Sequence, residues 1–249
     1  MSGHSKWATI KRAKGKTDAA RGKLFNRLIR EITIAARMGG GDATTNPRLR
    51  SAVASARAAN MPGKNVDNAI AKGTGQLEGV NYEEILFEGY GPGGIAVMIE
   101  TMTDNRNRTV SEVRHALTKF GGNLGQTNCV ARMFKSAGVI RVAQSAMAED
   151  ALMEVVLEAG ADDMALDGDE YEILTAPNAF ENVRAALEKV NVTPVSAEIT
   201  KIPESPVKVE GENVAKVVRL MEALDDLDDA QHVYGNFDIS ESDLENLEQ

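Results

Sequence analysis

The chain changes its hydrophobic period once, across Gly73-Thr-Gly-Gln-Leu-Glu-Gly79. Before this stretch apolar residues recur every three or four positions; after it, short apolar runs alternate with glycine-rich turns and with further helical segments. A chain written first in one period and then in two is α+β, and the glycine-rich stretch reads as a linker between its parts. Its 249 residues are enough for two or three small domains.

In the first part, Thr17 and Asp18 form a cap signal, and Ala19 to Met38 is predicted as a helix stopped by Gly39-Gly40-Gly41. Leu24, Leu28, Ile32 and Ala35 make one apolar stripe, with Phe25, Ile29 and Ala36 beside it. Arg21, Lys23, Arg27, Arg30 and Arg37 fall largely off the stripe and are predicted to face water or a partner. Asn46 caps a second helix with Pro47 at its first position, where Leu49, Val53 and Ala56 recur at helical spacing. Pro62 opens a third helix, through Val66 and Ile70, that stops at Gly73.

In the second part, Glu84 to Tyr90 and Ile95 to Thr101 read as paired strands around Gly91-Pro-Gly-Gly94. A helix follows over Thr109 to Phe120, then a strand over Cys129 to Phe134. From Val139 the order is strand, helix (Glu149 to Glu158), strand (near Met164), strand (Tyr171 to Thr175), helix (Ala179 to Val190) and strand (Val195 to Ile202), the ferredoxin-like pattern. Pro203 and Pro206 punctuate the chain, and a strand at Val207, a helix from Asn213 and a strand near His232 remain. These three need a sheet to complete. The expected organisation is therefore an N-terminal three-helix domain (1–78) and two ferredoxin-like α/β domains, one discontinuous (79–134 and 204–249) and the other inserted into it (135–203).

Charge is segregated along this plan. Residues 1–72 carry 15 Lys/Arg against 4 Asp/Glu, while residues 73–249 carry 13 against 33, within a net charge of −9. The N-terminal arm from Gly3 to Lys16 holds Lys6, Lys11, Arg12, Lys14 and Lys16 around Trp7, the one tryptophan, with no acid among them. Clustered cations beside a stacking-capable ring suit a phosphate backbone with accessible bases. A solubilising tail with Trp7 packed on the next helix is the competing reading. An acidic body repels phosphate and would orient the basic end towards a polyanion.

Other motifs divide into one of interest and several that carry no chemistry. Thr103-Asp-Asn-Arg-Asn-Arg-Thr109 joins a strand to a helix and offers two arginine forks, which pair with phosphate or guanine edges. Arg114 and Lys119 would extend the strip; the alternative is a helix start capped by Asp104 or Asn107. Gly89-Tyr-Gly-Pro-Gly-Gly94 lacks the Gly-Lys-Ser/Thr ending of a phosphate loop and reads as a hairpin turn. His4, His115 and His232 fall in three separate units, and Cys129 has no His or Cys at ligand spacing. Asp162-Asp163, Asp225-Asp226 and Asp228-Asp229 read as solvated turns. The expectations are no catalytic residue, no metal, no cofactor and no enzymatic activity. A single cysteine, no apolar run of eighteen residues and no secretory signal lead to a cytoplasmic chain without a membrane partner.

Gly3-His-Ser-Lys-Trp7, Arg21-Gly-Lys-Leu-Phe25, Asn46-Pro-Arg-Leu-Arg50, Asn60-Met-Pro62, Gly89 to Gly94, Thr103 to Thr109 and Gly121-Gly-Asn-Leu124, in this order, resemble the YebC family. The resemblance implies a three-domain cytoplasmic regulator of gene expression without enzymatic activity. Members are described as DNA-binding transcriptional regulators, and some relatives as translational activators acting with the ribosome. The expected nucleic-acid contacts are Lys6, Trp7, Lys11, Arg12, Lys14, Lys16, Arg21, Lys23, Arg106 and Arg108. No helix-turn-helix recognition helix is evident. Structured RNA of the ribosome therefore stands as the alternative to DNA, and a protein-interaction module as a third reading.

Overall fold

The computed structural model describes residues 18–240 and 242–243. Helix α1 (Asp18–Gly39) runs against α2 (Pro47–Ala58) and α3 (Gly63–Gly73) around Ile32, Ala35, Leu49, Ala56, Val66 and Ala69. Asn46 starts α2 as expected: its side-chain oxygen accepts the Leu49 N–H, and its amide donates to the carbonyls of Ala35 and Gly40. One side chain thus caps one helix and secures the end of another. Gly73 is required by close approach, since a Cβ there would lie 2.4 Å from the Thr33 carbonyl oxygen. The apolar stripe is wider than the periodicity predicts. All five residues from Ile32 to Ala36 are buried, so α1 is covered on more than one side there, whereas Leu24 at its start is 45% exposed.

The first sheet is antiparallel, in the order β3-β1-β2-β9: β1 (Glu83–Tyr90), β2 (Ala96–Thr103), β3 (Asn123–Leu124) and β9 (Ala230–Gly235). The β1–β2 hairpin turns through Gly93 and Gly94, both at positive φ. Its amides close on the turn itself, Gly91 N–H to Ile95 and Gly94 N–H to Gly91, so neither is aimed at a phosphate. Helix α4 (Arg106–Lys119) and α7 (Glu212–Asp225) cover one face through Val113, Leu117, Val217, Leu220 and Leu224.

The second sheet, order β5-β6-β4-β7, is formed by β4 (Phe134–Ala143), β5 (Ala161–Asp167), β6 (Glu170–Thr175) and β7 (Ser196–Pro203). Helices α5 (Glu149–Glu158) and α6 (Phe180–Lys189) cover the face bearing Ile140, Val142, Tyr171 and Ile173. The pleat sends Arg141 to the opposite face, where Asp167, Glu170 and Glu172 surround it. The chain leaves the first sheet after β3, builds the second, and returns through β8 (Val207–Lys208) and α7 to β9; β8 pairs in parallel with β10 (Phe237–Asp238).

Two local readings are corrected. Residues 127–133 form turns and a short 3-10 segment where a strand over Cys129 to Phe134 is predicted. The cause is Glu88, buried on β1, whose carboxylate accepts the N–H groups of Asn128, Val130 and Ala131 and so takes donors a neighbouring strand would need. Helix α4 starts three residues earlier than predicted, and its cap is Asn105, which accepts the Arg108 N–H; neither Asp104 nor Asn107 serves.

Candidate nucleic-acid interface

Of the residues expected to contact nucleic acid, Lys6, Trp7, Lys11, Arg12, Lys14 and Lys16 lie outside the described residues. The other four divide by what they touch. Arg21 on α1 and Arg106 at the start of α4 are exposed, and no ion pair engages either among the described residues. Lys23 and Arg108 are each held by carboxylates of this same chain.

Lys23 belongs to a row at helical spacing with Arg27 and Arg30. The row meets the turn that follows α7. Lys23 Nζ lies 2.6 Å from an Asp226 carboxylate oxygen, Arg27 pairs with Asp225 at 3.2 Å, and Arg30 pairs with Asp229 at 3.2 Å. Arg27 and Arg30 also donate to the carbonyls of Asp225 and Asp228. Predicted to face water or a partner, these three cations face the chain's own acidic turn, about two hundred positions further on. The reading of Asp225-Asp226 and Asp228-Asp229 as solvated turns is corrected for Asp225 and Asp229, whereas Asp226 and Asp228 stay exposed.

Arg108 belongs to the same assembly. Asp229 is fully buried and accepts from Thr103 Oγ1 at 2.9 Å, Thr109 Oγ1 at 2.7 Å and Arg108 at 2.7 Å. Burial alone would push this carboxyl up; the hydrogen bonds from Arg108, Thr109 and Thr103, with the arginine's charge, outweigh it and hold the group below the ordinary carboxylate range. Arg108 also pairs with Asp104 at 2.8 Å, and these carboxylates raise its own pKa. The loop Thr103 to Thr109 is thus a hydrogen-bonded node with Asp229, and the side chains of Arg106 and Asn107 are exposed and left out of it.

Further interactions join the helices to the first sheet. Arg48 on α2 pairs with Glu31 at 2.7 Å and Glu84 at 2.6 Å, Arg37 donates to the Tyr82 carbonyl, and Arg30 lies over the Tyr82 ring. Part of the segregated charge is therefore neutralised internally. What stays outward on the helical unit includes Arg57, Lys64 and Lys72, which motif reading passes over; the only signal for them is the excess of cations in residues 1–72. Among the described residues no group of three or more His, Cys, Asp or Glu could hold a metal ion, and no helix is long and apolar enough to cross a membrane.

A cationic helical unit held by ion pairs to β1 and to the turn that follows α7, in a chain that builds a second antiparallel sheet as well, is a multidomain α+β architecture. The chain belongs to the TACO1/YebC family: the model of the family's N-terminal domain matches residues 5–76, and that of its second and third domains matches residues 82–237. It is 60% identical to a probable transcriptional regulatory protein of Koribacter versatilis, over 99% of both chains. It is 56% identical to a protein of the same description from Geobacter sulfurreducens, over 99% of this chain and all of that one. The crystal structure of a conserved hypothetical protein from Aquifex aeolicus has the same fold, with a TM-score of 0.82 and 48% identity over 92% of this chain and 94% of that chain.

Proposed function

We propose that this protein is a nucleic-acid-binding regulator of gene expression, with duplex DNA as its partner and residues 1–78 as the binding unit. The observation that carries the reading is a group of outward cations on the helical unit without ion-pair partners among the described residues, including Arg21, Arg57, Lys64 and Lys72, in a chain whose N-terminal arm holds Lys6, Lys11, Arg12, Lys14 and Lys16. Relatives named as probable transcriptional regulatory proteins support it.

In this reading the arm engages phosphates, Trp7 stacks on a base or anchors the arm, and Arg106, at the start of α4, adds a further phosphate partner from outside the helical unit. Arg108 contributes through Asp229, which also pairs with Arg30 on α1 and so holds the binding unit in place. The acidic remainder disfavours indiscriminate coating of the polyanion. No residue is assigned a catalytic or metal-binding role. Charge reversal at Lys11, Arg12 and Lys14 tests the proposal: duplex affinity should fall steeply at low salt, and unchanged affinity would remove the arm from the mechanism.

A further inference from the structure

The three cations that α1 turns towards the chain's own acidic turn are held with graded firmness. Side-chain exposures of the pairs run 42% and 72% for Lys23–Asp226, 16% and 17% for Arg27–Asp225, and 15% and 0% for Arg30–Asp229. The inner end is fixed, because Asp229 is also held by Arg108, Thr103 and Thr109. The outer end is not sealed: a crevice lined by Lys23, Asn26, Arg27, Leu227 and Asp228 opens along it. Exposed ion pairs are weak and salt-screened, so the outermost pair, Lys23–Asp226, can be exchanged for another anion while the more buried Arg27–Asp225 and Arg30–Asp229 pairs persist. The turn offers Lys23 and Arg27 the same kind of partner a phosphate backbone would, anionic oxygens supplemented by the Asp225 and Asp226 carbonyls.

We infer that the turn 225–229 is a built-in competitor for the basic face of α1: its exposed end, Asp226, occupies Lys23 in the free protein, and nucleic-acid phosphates displace it there while the Asp225 and Asp229 pairs stay in place. This rests on the nucleic-acid reading above. The device raises the threshold for binding, so that only a polyanion already engaged by the arm and Arg21 recruits Lys23 as well.

The test is titration of a labelled DNA duplex, at several salt concentrations, with the full chain and three variants. Asp225→Asn/Asp226→Asn removes the competitor. Asp226→Asn alone does so at an exposed position where folding is not at risk. Asp162→Asn/Asp163→Asn removes equal charge from β5. The first variant should bind about three- to tenfold more tightly at low salt, with the log–log salt slope steeper by about 0.9 for each cation freed to meet a phosphate. The single variant should shift in the same direction, and the β5 variant much less. Equal binding by wild type and both turn variants overturns the competition and leaves the nucleic-acid reading standing, as does equal tightening by the β5 variant. Absence of binding by all four proteins removes both.

Discussion

Arg108 donates to a carboxylate oxygen of Asp229 at 2.7 Å, and that carboxylate is closed to solvent on every side. The same anion accepts from Thr103 and Thr109 and pairs with Arg30 on α1. The first sheet, α4 and the helical unit therefore meet on one charge. Removing one partner of a buried ion pair typically costs about 3–5 kcal/mol, and Asp229→Ala is expected to lower stability on that scale. Urea unfolding of the full chain measures it; a loss below about 1 kcal/mol would show that the node is dispensable.

Acid should act on two carboxyls, the buried Asp229 and the half-buried Glu100, in opposite directions. The Asp229 carboxyl is depressed in the folded state, so its stabilisation is complete above the ordinary value of 3.8 and is lost as pH falls through the lower folded value. Glu100 is pushed up by burial, against the hydrogen bond donated by Tyr234, so the neutral form is favoured in the fold. Its contribution is complete below 4.5 and is lost as pH rises through the raised folded value. Thermal unfolding across about pH 3–8 should show Glu100→Gln gaining relative stability at neutral pH, while Asp229→Asn flattens the acid limb.

Arg106 and Arg108 should separate cleanly. Arg106→Ala removes an exposed side chain and should change stability by no more than about 0.5 kcal/mol while weakening nucleic-acid binding. Arg108→Ala leaves a buried carboxylate short of a partner and should lower the melting temperature. Equal melting temperatures for the two variants would contradict the node.

Glu88 organises the loop 128–131 through three backbone donors. In Glu88→Gln the amide nitrogen cannot accept, so at least one of these N–H groups loses its partner, at about 1–3 kcal/mol. Hydrogen exchange at Asn128, Val130 and Ala131 should accelerate; unchanged protection would mean the loop holds itself.

Much of the fold is legible from pattern. Caps at Asn46 and Pro47, the stop at Gly73 and the strand–helix order after Val139 are local signals, and the chain follows them. The segment at Cys129 has the composition of a strand, but its donors are taken by a carboxylate some forty residues earlier, which no local window contains. The cations of α1 are visible as charges, yet their partners lie about two hundred residues on, and charge balance cannot distinguish a cation that awaits a ligand from one already paired. Arg57, Lys64 and Lys72 form no motif and emerge only once the paired cations are set aside.

Whether the basic N-terminal unit binds nucleic acid is decided by duplex-DNA titration at two salt concentrations, with the full chain and a chain lacking residues 1–16. Ribosome cosedimentation of the same two proteins runs beside it. The full chain should bind duplex selectively, with a log–log salt slope that is shallower in the truncated chain by about 0.9 for each phosphate the arm had neutralised. Equal binding by the two proteins, or arm-dependent pelleting with ribosomes beside weak and indiscriminate duplex binding, would contradict it.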